Sequence, residues 1–98
     1  MNIQAMMKQA QQLQKDMMNT KKAIDETDYE ITKSFVTVKA KGNKKIESIK
    51  IDMESVDSEE IEILQDLLQV AINELMDKID KDTESKMGKY TQGMPGLF

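Results

Sequence analysis

Lys8, Lys15 and Lys22 recur every seven residues near the start of the chain. On a helix this spacing sets three ammonium groups on one face, about 10.5 Å apart. Lys21 stands beside Lys22, and the amides Gln4, Gln9, Gln11, Gln12, Gln14 and Asn19 surround them. Such a face can lie along phosphates, with amide side chains reaching base edges. On composition alone, a solvated helix surface is the simpler account. A second group of lysines, Lys39, Lys41, Lys44 and Lys45, falls in mid-chain. A third, Lys78, Lys81, Lys86 and Lys89, alternates with Asp77, Asp80, Asp82 and Glu84. The chain has no arginine. Bidentate reading of guanine is therefore unavailable, and any DNA contact is expected to be weakly sequence-specific.

Other chemistry is poorly served. There is no histidine or cysteine, and Ser34, Ser48, Ser55, Ser58 and Ser85 have no obvious base. Gly42 stands alone, so no glycine-rich phosphate loop is present. No catalytic activity, cofactor or small-molecule substrate is expected. The carboxylates Asp52, Glu54, Asp57, Glu59, Glu60 and Glu62 lack the alternating spacing and central glycine of a calcium loop. They read as helix capping and a solvated acidic end, with no metal. Met6, Met7, Met17 and Met18 suit core or dimer packing, or else an adaptable partner surface. A protein-interaction adaptor built on that Met-rich helix, without direct DNA contact, is the alternative function.

The 98 residues make one small domain with 39% apolar residues, below the usual ~45–50%. The net charge of −4 opposes nucleic-acid binding by whole-molecule attraction. The distribution of charge matters more than its sum. No apolar run approaches 18 residues, so no membrane span is expected. The polar, amphipathic N-terminus lacks the features of a secretory signal. A cytoplasmic protein is the expectation.

Residues 2–26 read as a helix. Ile3, Met6, Ala10, Leu13, Met17, Thr20 and Ile24 fall on alternating steps of three and four, a weak heptad seam suited to packing on another helix. Tyr29 to Lys33 alternates as a short strand, with Lys33-Ser34 as its turn. Val36, Val38 and Ala40, then Ile49 and Ile51, mark two half-buried strands. Gly42-Asn43 joins them, since both residues tolerate positive φ. Asp57 should cap a second helix, with Glu60 completing a capping box, or Ser58 serving as cap. Ile61, Leu64, Leu68, Ala71, Ile72, Leu75, Met76 and Ile79 make that helix's apolar stripe, flanked by Ile63, Leu67 and Val70, and Gly88 is a plausible stop. Val36, Val38, Ile49, Ile51, Leu67, Leu68, Ala71 and Ile72 are the expected core and dimer contacts. The fold class is α+β: a long helix, a small antiparallel sheet of two to three strands, and a second long helix. Residues 1–90 form the domain, and 91–98 an irregular tail. Helices longer than the sheet they flank leave apolar surface that one chain cannot cover, so a homodimer is expected.

The segment Met7-Lys8-Gln9-Ala10-Gln11-Gln12-Leu13-Gln14 is similar to the opening helix of the YbaB/EbfC family of bacterial nucleoid-associated proteins. Val36-Thr37-Val38 through Gly42, with Ile49-Lys50-Ile51-Asp52, is similar to its central strands. Asp66-Leu67-Leu68 with Ala71-Ile72-Asn73 resembles its second-helix core, and Gly93 to Phe98 its C-terminal ending. Where members usually carry a glycine-rich link before the second strand, Lys33-Ser34 runs directly into Phe35. The resemblance implies an α-β-β-β-α subunit in a tweezer-like homodimer. It also implies double-stranded DNA as partner and a role in nucleoid organisation or gene regulation. It places DNA contacts on the projecting helices, at Lys8, Gln12 and Lys15, with Lys22 from the lysine periodicity, and at Lys86 and Lys89.

Overall fold

A computed structural model describes residues 2–91. The elements run helix α1 (Ile3–Glu26), strands β1 (Asp28–Lys33), β2 (Val36–Lys41) and β3 (Ile46–Ile51), a 3-10 turn (Ser58–Glu60) and helix α2 (Ile61–Thr91). The strands form one antiparallel sheet in the order β1-β2-β3. This is the α+β, α-β-β-β-α fold read from the sequence. Thr91 is helical, and the rest of the expected tail, 92–98, lies outside the described residues. Among the described residues no helix is long and apolar enough to cross a membrane.

α1 is bounded by side chains that satisfy its free backbone ends. Asn2 is the N-cap, its Oδ1 accepting from the Gln4 N–H at 3.1 Å. At the other end the Thr27 N–H donates to the Ile24 carbonyl at 3.0 Å, and the Thr27 hydroxyl donates to the Ala23 carbonyl at 2.7 Å.

β2 is the central strand, and its alternation sets the layers. Val36, Val38 and Ala40 are fully buried beneath α2, whose Ala71, Leu75 and Ile79 follow at four-residue steps on one face. Tyr29 joins this core from β1, opposite Ala40. Across β2 from the core residues stand Ile51, Ile49 and Ile46, opposite Val36, Val38 and Ala40. Ile46 and Ile49 are three apart and would face opposite ways in a regular strand. A bulge beside Lys39 and Ala40 restores them to one face. α2 lies across β1 and β2 and does not reach β3. Ile46, Ile49 and Ile51 are consequently 43%, 47% and 36% exposed, so the single chain does not bury the two β3 residues, Ile49 and Ile51, expected to be core or dimer contacts.

The turns differ from their sequence reading in detail. The first is a two-residue loop of Ser34 and Phe35, with Ser34 at φ 53°. In the second, the Lys44 N–H donates to the Lys41 carbonyl at 2.8 Å across Gly42-Asn43, and the Asn43 Oδ1 accepts from the Lys45 N–H at 2.9 Å. The positive φ there, 69°, falls on Lys44 and not on Gly42 or Asn43. This is the pattern of a turn followed by one left-handed residue, which suits a twisted hairpin. Gly42 is required for another reason. A Cβ there would lie 1.8 Å from the Ile24 carbonyl oxygen, because α1 ends directly against it. The Gly42 N–H donates to the Thr27 carbonyl at 3.0 Å and fixes that approach.

Two expectations for the second helix are corrected. The capping box is not formed. Asp57 occupies the cap position of the 3-10 turn without a side-chain cap bond, and its carbonyl accepts from the Glu60 N–H at 2.9 Å. Ser58 and Glu60 lie inside that turn. Gly88 does not stop the helix. Met87 and Tyr90, on either side of it, are buried against α1. Their packing outweighs the ~1 kcal/mol that a lone helical glycine costs.

Polar contacts fix the direction of α2 over the sheet. Lys33 pairs with Glu74 at 2.8 Å, Lys44 pairs with Asp80, and the Lys78 ammonium donates to the Glu30 carbonyl at 3.3 Å. Half-exposed pairs of this kind contribute ~0–1 kcal/mol each, so they orient a helix that apolar contact holds. The Tyr29 hydroxyl donates to the Asp82 carboxylate. Burial, followed by that hydrogen bond, pushes the Tyr29 hydroxyl up from 10.0 to about 12. The Tyr29 bond, and after it the one from Lys86, holds the Asp82 carboxyl below its usual range.

Gly42→Ala is expected to destabilise the fold by about 3 kcal/mol or more, since the obstructing atom is backbone; a denaturant titration measures this. Tyr29→Phe should lose about 1–2 kcal/mol at neutral pH, because the bond removed is to a charged carboxylate that is partly solvated. The depressed Asp82 contributes stability above the unfolded carboxylate value, which is lost as pH falls below about 4. The raised Tyr29 contributes stability below pH 10.0, which is lost as pH climbs toward about 12. The difference between wild type and variant should therefore be largest between these limits and shrink on both sides.

Candidate nucleic-acid interface

The molecule extends 71 × 20 × 14 Å, with a radius of gyration of 19.5 Å, against about 13 Å for a compact domain of this length. The cause is the arm formed by α1. Only its C-terminal end is tied down: Ile24 packs with Met87 and Tyr90, Met17 lies against them, and the Thr20 and Tyr90 hydroxyls are 3.2 Å apart. Residues 2–16 are all exposed. The seam that suggested packing on another helix does so only over this last third.

Gln4, Lys8, Gln12, Lys15, Asn19 and Lys22 occupy an arc of about 80° on α1, opposite the apolar seam. All six are exposed. Lys8 to Lys22 spans about 21 Å, the rise of some six base pairs. Among the described residues, no ion pair engages Lys8, Lys15 or Lys22. Lys21 is spent on Asp25 at 2.6 Å, and the Gln12 amide donates to Asp16 at 2.9 Å. Residues 1–24 carry four lysines and one acid, whereas residues 25–98 carry ten lysines and seventeen acids. The acidic net charge therefore belongs to the body, and the arm is locally cationic.

The other lysines are placed differently. Lys86 and Lys89 lie on the last turns of α2, at the end that packs on α1, and both are exposed. Lys86 pairs with Asp82 at 2.9 Å, and the Lys89 ammonium sits 5.0 Å from the Tyr90 ring centroid. On the hairpin, Lys41 is 3.8 Å from Asp28, Lys44 pairs with Asp80, and Lys39 faces Glu30 across the strand pair. Lys41, Lys44 and Lys86 are thus paired with acids of the body, and the Lys44–Asp80 pair, far apart in sequence, could not be read from spacing.

Of the expected core and dimer residues, Val36, Val38 and Ala71 are buried, and Leu67, Leu68 and Ile72 pack partly buried against them. Ile49 and Ile51 instead join Ile61, Ile63 and Val70 in a set of exposed apolar side chains on β3 and the first half of α2. β3 is also an edge strand, with its outer backbone groups unpaired within the sheet.

The sequence profile described as the YbaB/EbfC DNA-binding family matches residues 1–94. A nucleoid-associated protein of Enterococcus faecalis is 41% identical, over 98% of this chain and 94% of its own length. One from Ligilactobacillus salivarius is 42% identical, over 99% and 95%. One from Alkaliphilus metalliredigens is 45% identical, over 99% and 89%. These proteins are similar to this chain along almost all of it, and the family is one of DNA-binding proteins, not of enzymes. The chain belongs to the YbaB/EbfC DNA-binding family.

Proposed function

We propose that this chain is a nucleoid-associated protein that binds double-stranded DNA as a homodimer, with low sequence specificity, and organises the nucleoid or regulates genes there. Its place is the cytoplasm, at the nucleoid. The observation that carries the reading is the exposed face of α1, where Lys8, Gln12, Lys15 and Lys22 stand together, its three lysines without carboxylate partners among the described residues, on an arm clear of the acidic body. Lysine ammonium groups contact phosphates as point charges, and the absence of arginine leaves base reading to amides. Lys89 can extend the surface from the adjoining end of α2, whereas Lys86 must first give up Asp82. The dimer is supported by the exposed isoleucines on β3 beside an unpaired strand edge. Two subunits joined there present two lysine arms.

Six arm lysines per dimer, each displacing a counterion, give a slope of about −5 in log affinity against log salt. A gel-shift titration across salt checks this; a flat response, or no shift at micromolar dimer, would remove the proposal. Lys8→Glu with Lys15→Glu should abolish the shift with helicity unchanged by circular dichroism.

A further inference from the structure

The methionines around α1 divide by depth. Met17 is half-buried against Ile24, Met87 and Tyr90, and Met87 is only 2% exposed. Met7 and Met18, in contrast, are 57% and 62% exposed. Leucine would serve an open helix position as well as methionine, so packing gives no reason for sulfur at either place. The chain has nine methionines and no cysteine, so thioethers are its only sulfur. Met18 stands three residues after Lys15 and four before Lys22, the separations at which helix side chains meet. It lines a shallow groove with Gln11, Gln14, Lys15 and Asn19, each of which carries N–H donors. Met7 precedes Gln11 by one turn and Lys8 by one residue. The most exposed of these sulfurs thus lies directly between two of the lysines assigned to phosphates.

We infer that Met18 is a site of reversible oxidation, and that its sulfoxide loosens the hold of the arm on phosphates. A peroxide transfers one oxygen atom to the exposed sulfur. The sulfide loses two electrons and becomes a sulfoxide, the O–O bond breaks, and hydrogen peroxide leaves as water. A thioether is a weak acceptor, whereas the sulfoxide oxygen carries a partial negative charge. On the turns either side of it are the Lys15 and Lys22 ammonium groups, with no carboxylate partner among the described residues. A lysine that donates to the sulfoxide is drawn off phosphate. In the return step a methionine sulfoxide reductase removes the oxygen as water and oxidises two thiols to a disulfide. Both thiols belong to the reductase, because this chain has none. Met87, which anchors α1 on α2, is shielded from the same oxidant, so the face of the arm changes while its attachment stays. The consequence for binding rests on the DNA reading given above; the oxidation itself does not.

Treating the full-length protein with hydrogen peroxide, followed by peptide mass mapping and gel shift, tests both parts. Met18 should gain one oxygen about tenfold faster than Met87, with the circular dichroism unchanged. The oxidised protein should bind duplex DNA about fivefold more weakly, the effect of one competing hydrogen bond, and a sulfoxide reductase should restore it. Met18→Leu, which keeps bulk and helix propensity, should bind as wild type does and keep its affinity under peroxide, although Met7 is still oxidised. Met18 reacting no faster than Met87 would overturn the inference. So would an equal loss of binding in oxidised wild type and oxidised Met18→Leu, or no loss in either. Absence of any shift before peroxide is added would remove the DNA reading itself, and the proposed consequence with it.

Discussion

A helix about 10 Å across can cover two strands spaced 4.8 Å apart, and α2 covers β1 and β2. The third strand carries the same apolar face as its neighbours, yet among the described residues no helix lies over it. Ile46, Ile49 and Ile51 stand opposite Ala40, Val38 and Val36, in register with a core that ends beside them. Burying such side chains contributes roughly 1.5–3 kcal/mol each, a large share of a small domain's net stability. The bulge in β3 sharpens the point, because it turns Ile46 onto the face where the regular alternation would not put it. In the proposed dimer, a twin subunit covers this face.

The same economy of cover separates the charges. In the body, Lys33 pairs with Glu74 and Lys44 with Asp80, which aims α2 across the hairpins, and Lys86 pairs with Asp82 one turn away within α2. On α1 the lysines face away from the apolar seam, and Asp16 is the one acid before Asp25. A protein with a net charge of −4 can thus still offer a cationic arm. Over the Debye length of roughly 10 Å at moderate salt, DNA in the proposed complex responds to the arm and not to the sum.

Much of this was legible in the sequence, because periodicity survives folding. The seven-residue recurrence of Lys8, Lys15 and Lys22 and the alternation of Val36, Val38 and Ala40 reappear as an exposed face and a buried one. What spacing could not show was distance across the fold. Gly42 reads as a turn glycine, and it does lie in a turn, but its lack of a Cβ serves contact with Ile24, eighteen residues earlier. Gly88 reads as a stop, and packing at Met87 and Tyr90 overrides it. Asp57 and Glu60 match a capping box, and a 3-10 turn takes their place. The bond from Tyr29 to Asp82 joins two residues whose pairing no local pattern announces.

The claim that the fold is completed by a second copy is tested most directly by equilibrium unfolding at protein concentrations from about 0.1 to 100 μM. If folding and association are linked, apparent stability should rise by about 1.4 kcal/mol for each tenfold increase in concentration. A transition midpoint that does not move across this range, with a folded subunit of single-chain mass, would contradict it.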